Sequence, residues 1–236
     1  MKPRHIAISS LSLLLAACGG AESTADIPEN SAAVCFNPEL YQGGNSFTMQ
    51  SMDAQQMNIN YTMPGSTDFE GKTLLQLQHK ITGTSIDDDL PQHTFYYAVD
   101  KENYAFKQPA ILMQLAERKA VIHNTPEQVQ TFKLQPGQSF EQTITMAEAN
   151  PDAQGSTIEI KRTFVGMEPI TVAAGKFDTC HFRMDVKTTS ADGRVQQNEA
   201  HQWVAKGSGV SVQQQEGGQT LQLINAHIGE QHFPSK

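Results

Sequence analysis

Basic side chains are the first scarcity. Against 25 Asp and Glu, the 236 residues carry 17 Lys and Arg, and no stretch gathers them into a basic face. Nucleic-acid binding needs such a face, so that class is excluded. The acidic balance also argues against electrostatic capture of anionic head groups at the surface. Long apolar runs are missing too. Ile6 to Ala17 spans twelve residues broken by serines, too short for a membrane-crossing helix of about 20, and nothing later is more apolar. No Gly-x-Ser-x-Gly occurs, which removes the nucleophile elbow of a serine hydrolase. Neither an internal repeat nor a long helical period appears. Gly207-Ser208-Gly209 is a turn between strands; no helix follows to offer amide donors to phosphate.

What is present begins with an address. Residues 1–17 combine basic Lys2 and Arg4 with the short apolar run, the pattern of an export signal. Leu15-Ala16-Ala17-Cys18 then resembles the lipobox of bacterial lipoproteins. The resemblance implies cleavage before Cys18, a diacylglyceryl thioether on its sulfur and an acyl chain such as palmitate on its amino group. Two or more chains anchor stably where one binds marginally. Gly19 in place of Asp implies, under the enterobacterial sorting scheme, the outer membrane, with the protein facing the periplasm. The small polar stretch GGAESTADIPENSAA, 19–33, has the composition of a flexible tether, about 20 Å in root-mean-square span. The expected organisation is a signal peptide at 1–17, lipidated cysteine and tether at 18–34, and one β domain at 35–236. Without Lys2 and Arg4, 15 basic side chains face 25 acidic ones.

With Cys18 lipidated, only Cys35 and Cys180 remain of the three cysteines. Exported proteins sit where disulfides persist, so a Cys35–Cys180 bridge is expected. Closing so long a loop contributes up to roughly 5 kcal/mol in the chain-entropy model. Cys180 adjoins His181 in GKFDTCHFRMDVK, which raises the question of a catalytic pair. Strand neighbours point to opposite faces: Cys180, Phe182, Met184 and Val186 share one face, and His181, Arg183, Asp185 and Lys187 the other. Cys180 is therefore expected in the core and His181 in solvent, and the two cannot form a dyad. A reactive thiol needs electropositive, partly exposed surroundings, unlike this apolar face.

Period-two alternation dominates the chain, as in Met57, Ile59, Tyr61 and Met63, or Leu75, Leu77 and Ile81, which marks half-buried strands. Asp192-Gly193, Pro136-Gly137 and Gly217-Gly218 supply turns. Residues 109–123 fit a short amphipathic helix somewhat better than a strand, through Ile111, Leu112, Leu115, Val121 and Ile122. The fold class is mostly β: a curved antiparallel sheet or half-barrel of about ten strands, with room for one short helix. Trp203, the single tryptophan, is expected to anchor the core or rim of the sheet. His227, Glu230 and His232 match no metal-ligand spacing, and Asp87-Asp88-Asp89 lacks the alternating oxygens and downstream Glu of a calcium loop. No metal, cofactor or catalytic residue is expected.

Two segments carry a family likeness. TVAAGKFDTCHFRMDV (171–186) and HQWVAKGSGVSVQQQEGGQTLQL (201–223) resemble the strand-turn-strand and closing-strand motifs of DUF3108 or TapB-like envelope proteins. The resemblance implies a curved antiparallel sheet distantly akin to the lipoprotein-carrier half-barrels, with the backbone geometry of Gly175 and Lys206-Gly207-Ser208-Gly209 retained. It brings no activity with it. The leading expectation is a non-enzymatic module that binds an apolar ligand or envelope lipid, lined by Met57, Met63, Phe182 and Met184, whose thioethers and rings adapt to irregular shapes. The alternative is a closed-core lipoprotein that supports an envelope assembly through a protein partner. A hydrolase is the remaining class.

Overall fold

A computed structural model describes residues 28–54, 56–83, 90–149 and 155–234. The signal segment, Cys18 and Asp87 to Asp89 lie outside the described residues. Thirteen strands follow in order: β1 (Ser46–Ser51), β2 (Asn58–Phe69), β3 (Lys72–Thr82), β4 (Gln92–Asp100), β5 (Ala105–Leu115), β6 (Arg118–Thr131), β7 (Ser139–Glu148), β8 (Ser156–Val172), β9 (Gly175–Thr189), β10 (Val195–Ala205), β11 (Ser211–Glu216), β12 (Gln219–Ile228) and β13 (Gln231–Phe233).

Each strand pairs antiparallel with the next, and β12 also pairs with β1 from Leu221–Ser51 to His227–Ser46. The sheet thus goes beyond a half-barrel and closes into an up-and-down barrel of β1 to β12, which leaves no long unpaired edge. The short β13 covers the end of β12 that β11 does not reach.

Alternation decides what faces inward. Phe164, Phe182, Met49, Val212 and Leu223 are fully buried in one continuous core. At one end of the barrel, residues 28–45 fold inward as a plug, with a 3-10 turn at Ala32–Cys35. Ala32, Leu40 and Tyr41 join the same core. The Ala32 amide donates to the Leu134 carbonyl at 2.9 Å, and the Gly207 amide donates to Val34 at 3.0 Å. Residues 31–34 are therefore part of the folded body and not of the tether that composition assigned them to. Small residues suit a tether, but they also suit a segment that must lie against a barrel end; Ala32 has no exposed surface.

Cys35 and Cys180 form a disulfide that ties this plug to β9. Gly209 closes the β10–β11 turn with a positive φ of 71°, and a Cβ there would meet the Cβ of Asn37 at 2.9 Å. The turn can seat on the plug only because that position has no side chain.

Residues 109–123 form no helix. They are the ends of β5 and β6 and the turn between them, paired from Ala110–His123 to Leu115–Arg118. The helical appearance has a physical cause. Ala110 and Leu112 pack outward with Leu74, Tyr96, Phe69 and Val121 in a second, smaller cluster, whereas Ile111 pairs with Phe95 on the opposite face. Apolar residues on both faces of a strand erase its alternation. Pro109, which has no amide to donate, sits at the bulge between Gln108 and Ala110.

Candidate functional site

The inward row of β8 runs Ile158, Ile160, Arg162, Phe164, since Arg162 pairs with Met184 and Phe164 with Phe182 on β9. It therefore places a guanidinium inside the barrel, 4% exposed. Its carbon lies 3.8 Å from the Phe182 ring centroid and 5.4 Å from that of Phe132, so aromatic faces hold its plane. Nη1 donates to Gln202 Oε1 at 3.2 Å and lies 3.7 Å from the Met184 sulfur. Nε and Nη2 are buried without a partner. Burial lowers the Arg162 pKa to about 10, which still leaves it a cation at neutral pH.

Two cavities of the barrel share wall residues, one of which is Gln202. One, of about 180 Å³, is walled by Phe47, Tyr61, Phe95, Phe106 and Phe132, with Tyr41, Tyr97, Gln130, Gln202 and Gln214 as its polar groups. The other, of about 210 Å³, is mostly polar: Met184, Ala200 and Leu221 line it with His201, Gln215, Glu216 and Gln219, and it shares Gln202 and Gln214 with the first. Arg162 lines neither cavity; it sits behind their shared wall, bonded to Gln202.

Tyr41 and Tyr97 stack with ring centroids 4.3 Å apart and share a hydrogen bond; Tyr97 also bonds to Gln130. Burial pushes both phenols well above their ordinary range. Both remain neutral donors, and neither supplies a counter-charge for Arg162. From the cavity wall a ring ladder crosses β1 to β4 through Phe47, Tyr61, His79 and His93. Burial, assisted by the neighbouring His93, lowers His79 to about 4, and burial also lowers His93. Both imidazoles are therefore uncharged at pH 7.

A wider concavity, of about 680 Å³, lies along β7 to β10 and includes Glu141, Glu159, Lys161, Asp185, Lys187 and Glu199. Alternation puts these charged groups on the face opposite Arg162 and Phe182, while Gln142, Ile160, Val186 and Asn198 of the same lining share the inward phase. Lys161 pairs with Glu141 at 3.0 Å and Lys187 with Glu159 at 2.6 Å. Both of its lysines are thus already paired, Asp185 and Glu199 are paired with Arg183 and His201 beside it, and we take the interior as the candidate site.

The residues singled out from the sequence are spread unevenly around that site. Met184 lines the second cavity. Phe182, fully buried, packs beneath the Arg162 guanidinium. Met63 is ordinary core at 2% exposed, and Met57 exchanges hydrogen bonds with Ser51 at the start of β2. Neither lines a cavity described above. Cys180 faces the core, on the side opposite His181, which is not freely solvated. The His181 ring stacks on Trp203 at 4.4 Å and pairs through its nitrogens with His201 at 2.8 Å and Glu168 at 3.1 Å. Burial lowers its pKa, opposed by Glu168. Trp203 is buried at 6% exposure and donates to Glu168. His227 and His232 stack across β12 and β13; among the described residues no three His, Cys, Asp or Glu are arranged to hold a metal. Arg162 escaped the sequence reading, although a cation in an otherwise apolar inward row was visible there.

A family model described as DUF3108-like matches residues 97–219, just over half of the chain. No curated protein matches in sequence. Among solved structures, a Bacteroides fragilis protein described as exported, with a YmcC-like fold, is 10% identical; it aligns over 79% of this chain and 96% of its own, with a TM-score of 0.52. A Parabacteroides distasonis protein described as a lipoprotein is 13% identical over 81% of this chain and 98% of its own, TM-score 0.49. The Escherichia coli lipoprotein YmcC is 12% identical over 75% of this chain and 83% of its own, TM-score 0.32. The first of these shows a shared fold.

Proposed function

We propose that this chain, which belongs to the DUF3108-like family, is a non-enzymatic binding module of the bacterial envelope that holds an apolar ligand or envelope lipid inside its barrel. One observation carries the reading. The interior is not filled to its centre: past the plugged end, aromatic walls enclose a cavity of about 180 Å³ that adjoins one of about 210 Å³. Ligand sites are concave, mostly apolar and furnished with a few placed polar groups, and Tyr41, Tyr97, Gln130 and Gln202 are such groups. The non-enzymatic part rests on the same geometry. Cys180 is held in a disulfide, and His181 is engaged with His201, Glu168 and Trp203 on the opposite face.

The lipobox-like Leu15-Ala16-Ala17-Cys18 supports an anchor at Cys18, and Gly19 supports the outer membrane with the barrel facing the periplasm. A closed-core interaction protein is the competing role. Exposed Met113 and Leu115, at 39% and 49% beside the β5–β6 turn, are the apolar surface that favours it.

Native mass spectrometry of residues 19–236 exported to a bacterial periplasm, before and after organic extraction, separates the two. The expected result is an extractable adduct in the mass range of a fatty acid or phospholipid. A bare mass, two hydrogens below the reduced sequence, would overturn the binding role and turn attention to protein partners.

A further inference from the structure

We infer that His181 and His201 form a proton-binding site on the outer face of the barrel, holding one proton in common between His181 Nε2 and His201 Nδ1. The site is independent of the ligand role proposed above. It gives the barrel a response to pH on the side that carries the plug.

Glu168 of β8, His181 of β9, and His201 and Glu199 of β10 stand in line. His181 Nδ1 meets Glu168 Oε1 at 3.1 Å, and His181 Nε2 meets His201 Nδ1 at 2.8 Å. His201 Nε2 meets Glu199 Oε1 at 3.2 Å. A carboxylate only accepts, so each outer contact needs an N–H on its imidazole, and the inner contact needs one more. Two neutral imidazoles carry only two N–H groups between them. All three contacts are hydrogen bonds only when one further proton is present. With two protons, one contact sets lone pair against lone pair.

The surroundings decide where the added charge rests. Burial lowers the His181 pKa; Glu168 opposes this and His201 adds to it. His181 is thus the neutral acceptor of the inner bond. The proton arrives at His201, whose side chain is 28% exposed against 15% for His181. Trp203 fixes the far end of the line: its indole N–H donates to the same Glu168 oxygen, and its ring stacks on His181 at 4.4 Å. Arg183 of β9 stands opposite His201 and pairs with Asp185 at 3.4 Å. Facing the pair, β8 also brings Thr163 and Gly166, and β11 brings Gln213 and Gln215, all uncharged. Lys206 and Asp178, of opposite sign, lie at the plug end, joined through their backbones. Near the two rings, Glu168, Glu199 and Asp185 outnumber Arg183, and nearby carboxylates favour a charged imidazole.

Position gives the proton its consequence. His181 adjoins Cys180, which ties down the plug, and β10 runs from His201 into the turn whose Gly207 amide bonds to Val34. With the proton in place, side chains tie β8 to β10 across β9. When it leaves, His201 Nε2 has no hydrogen for Glu199, and that end of the tie opens.

The exported chain with its disulfide intact carries its own probe. Trp203 is the single tryptophan, and a cation arriving beside its ring lowers its emission. Emission is followed from about pH 8 to about pH 5, the range in which histidine titrates, with nitrogen NMR of histidine-labelled protein at each end. Emission is expected to fall in one step that takes up one proton, while the two rings go from two nitrogen-bound protons to three. His201→Gln should abolish the step. Glu199→Gln should move it to lower pH, because a carboxylate facing the proton is gone. A step that persists in His201→Gln would overturn the assignment to this pair. Four nitrogen-bound protons at the acid end, or two separate steps, would mean that each ring titrates alone and would overturn the shared proton. Constant emission with two protons throughout would overturn the site itself. The wild-type proton count decides the point even if neither variant folds.

Discussion

At the residue scale, Arg162 is the most consequential side chain, because it sits where local physics disfavours it. The fold repays its burial only in part: the Phe182 and Phe132 rings face the guanidinium and Nη1 meets a neutral amide oxygen and a thioether sulfur, but Nε and Nη2 go without partners. An unsatisfied buried group costs about 1–3 kcal/mol, more when charged, and replacing buried charge by an apolar side chain of similar volume is often stabilising by about 1–4 kcal/mol. Arg162→Met should therefore raise the unfolding free energy of the ligand-free protein by about 1–3 kcal/mol, read as a higher urea midpoint at unchanged denaturant slope. A fall in stability would mean that Phe182 and Phe132 already compensate the charge in full. This residue was legible in principle. In IEIKRTF the inward row reads Ile158, Ile160, Arg162, Phe164, and a cation in that phase breaks the pattern. Its lack of a counter-ion was not legible, because that depends on what β9, β10 and the segment after β6 bring against it.

At the scale of elements, the same signature recurs in β7, whose inward row is Phe140, Gln142, Ile144, Met146. The β6–β7 ladder covers only Ile122 to Thr125 against Thr145 to Glu148. Beyond it the backbones part, and Gln142 spans the gap: the Val129 amide donates to Gln142 Oε1 at 2.9 Å, and Gln142 Nε2 donates to the Val129 carbonyl at 2.8 Å. One side chain stands in for two ladder bonds. Gln142→Leu leaves both Val129 groups unpaired and should cost about 1–3 kcal/mol in urea unfolding, with faster hydrogen exchange at the Val129 amide. An unchanged exchange rate there would show that the seam is held by its flanking ladders alone. Strand content was readable here because turn residues and alternation agree. The β5–β6 hairpin was not, because Ala110 and Leu112 bury outward with Leu74 and Tyr96, and an apolar pair on both faces imitates a helix.

At the scale of the whole molecule, closure and plugging are both long-range events. The pairing of β1 with β12 joins Ser46 to His227, and the disulfide joins Cys35 to Cys180 across 145 residues. The second could be anticipated, since only two cysteines remain once Cys18 carries the lipid. The first could not, because alternation fixes which face of a strand is apolar but not which distant strand it meets. The plug was hidden for another reason: its small residues read as tether until the Ala32 amide finds the Leu134 carbonyl and the Val34 carbonyl accepts from Gly207.

The bridge and the plug should act as one unit. Cys35→Ser combined with Cys180→Ser is expected to lower stability by up to about 5 kcal/mol, an upper figure for a loop of this length. The loss should be local before it is global. Amide exchange should rise first at Ala32 and Gly207, whose bonds to Leu134 and Val34 hold the plug to the barrel, while β2 and β3, paired along ten positions, stay protected. Because both sulfurs are fully buried, reductant should cleave the bridge slowly in native buffer and quickly in denaturant. Uniform exchange throughout the barrel in the double variant would instead show that the disulfide acts only on the unfolded chain. The plug would then close the cavity by packing and hydrogen bonds alone.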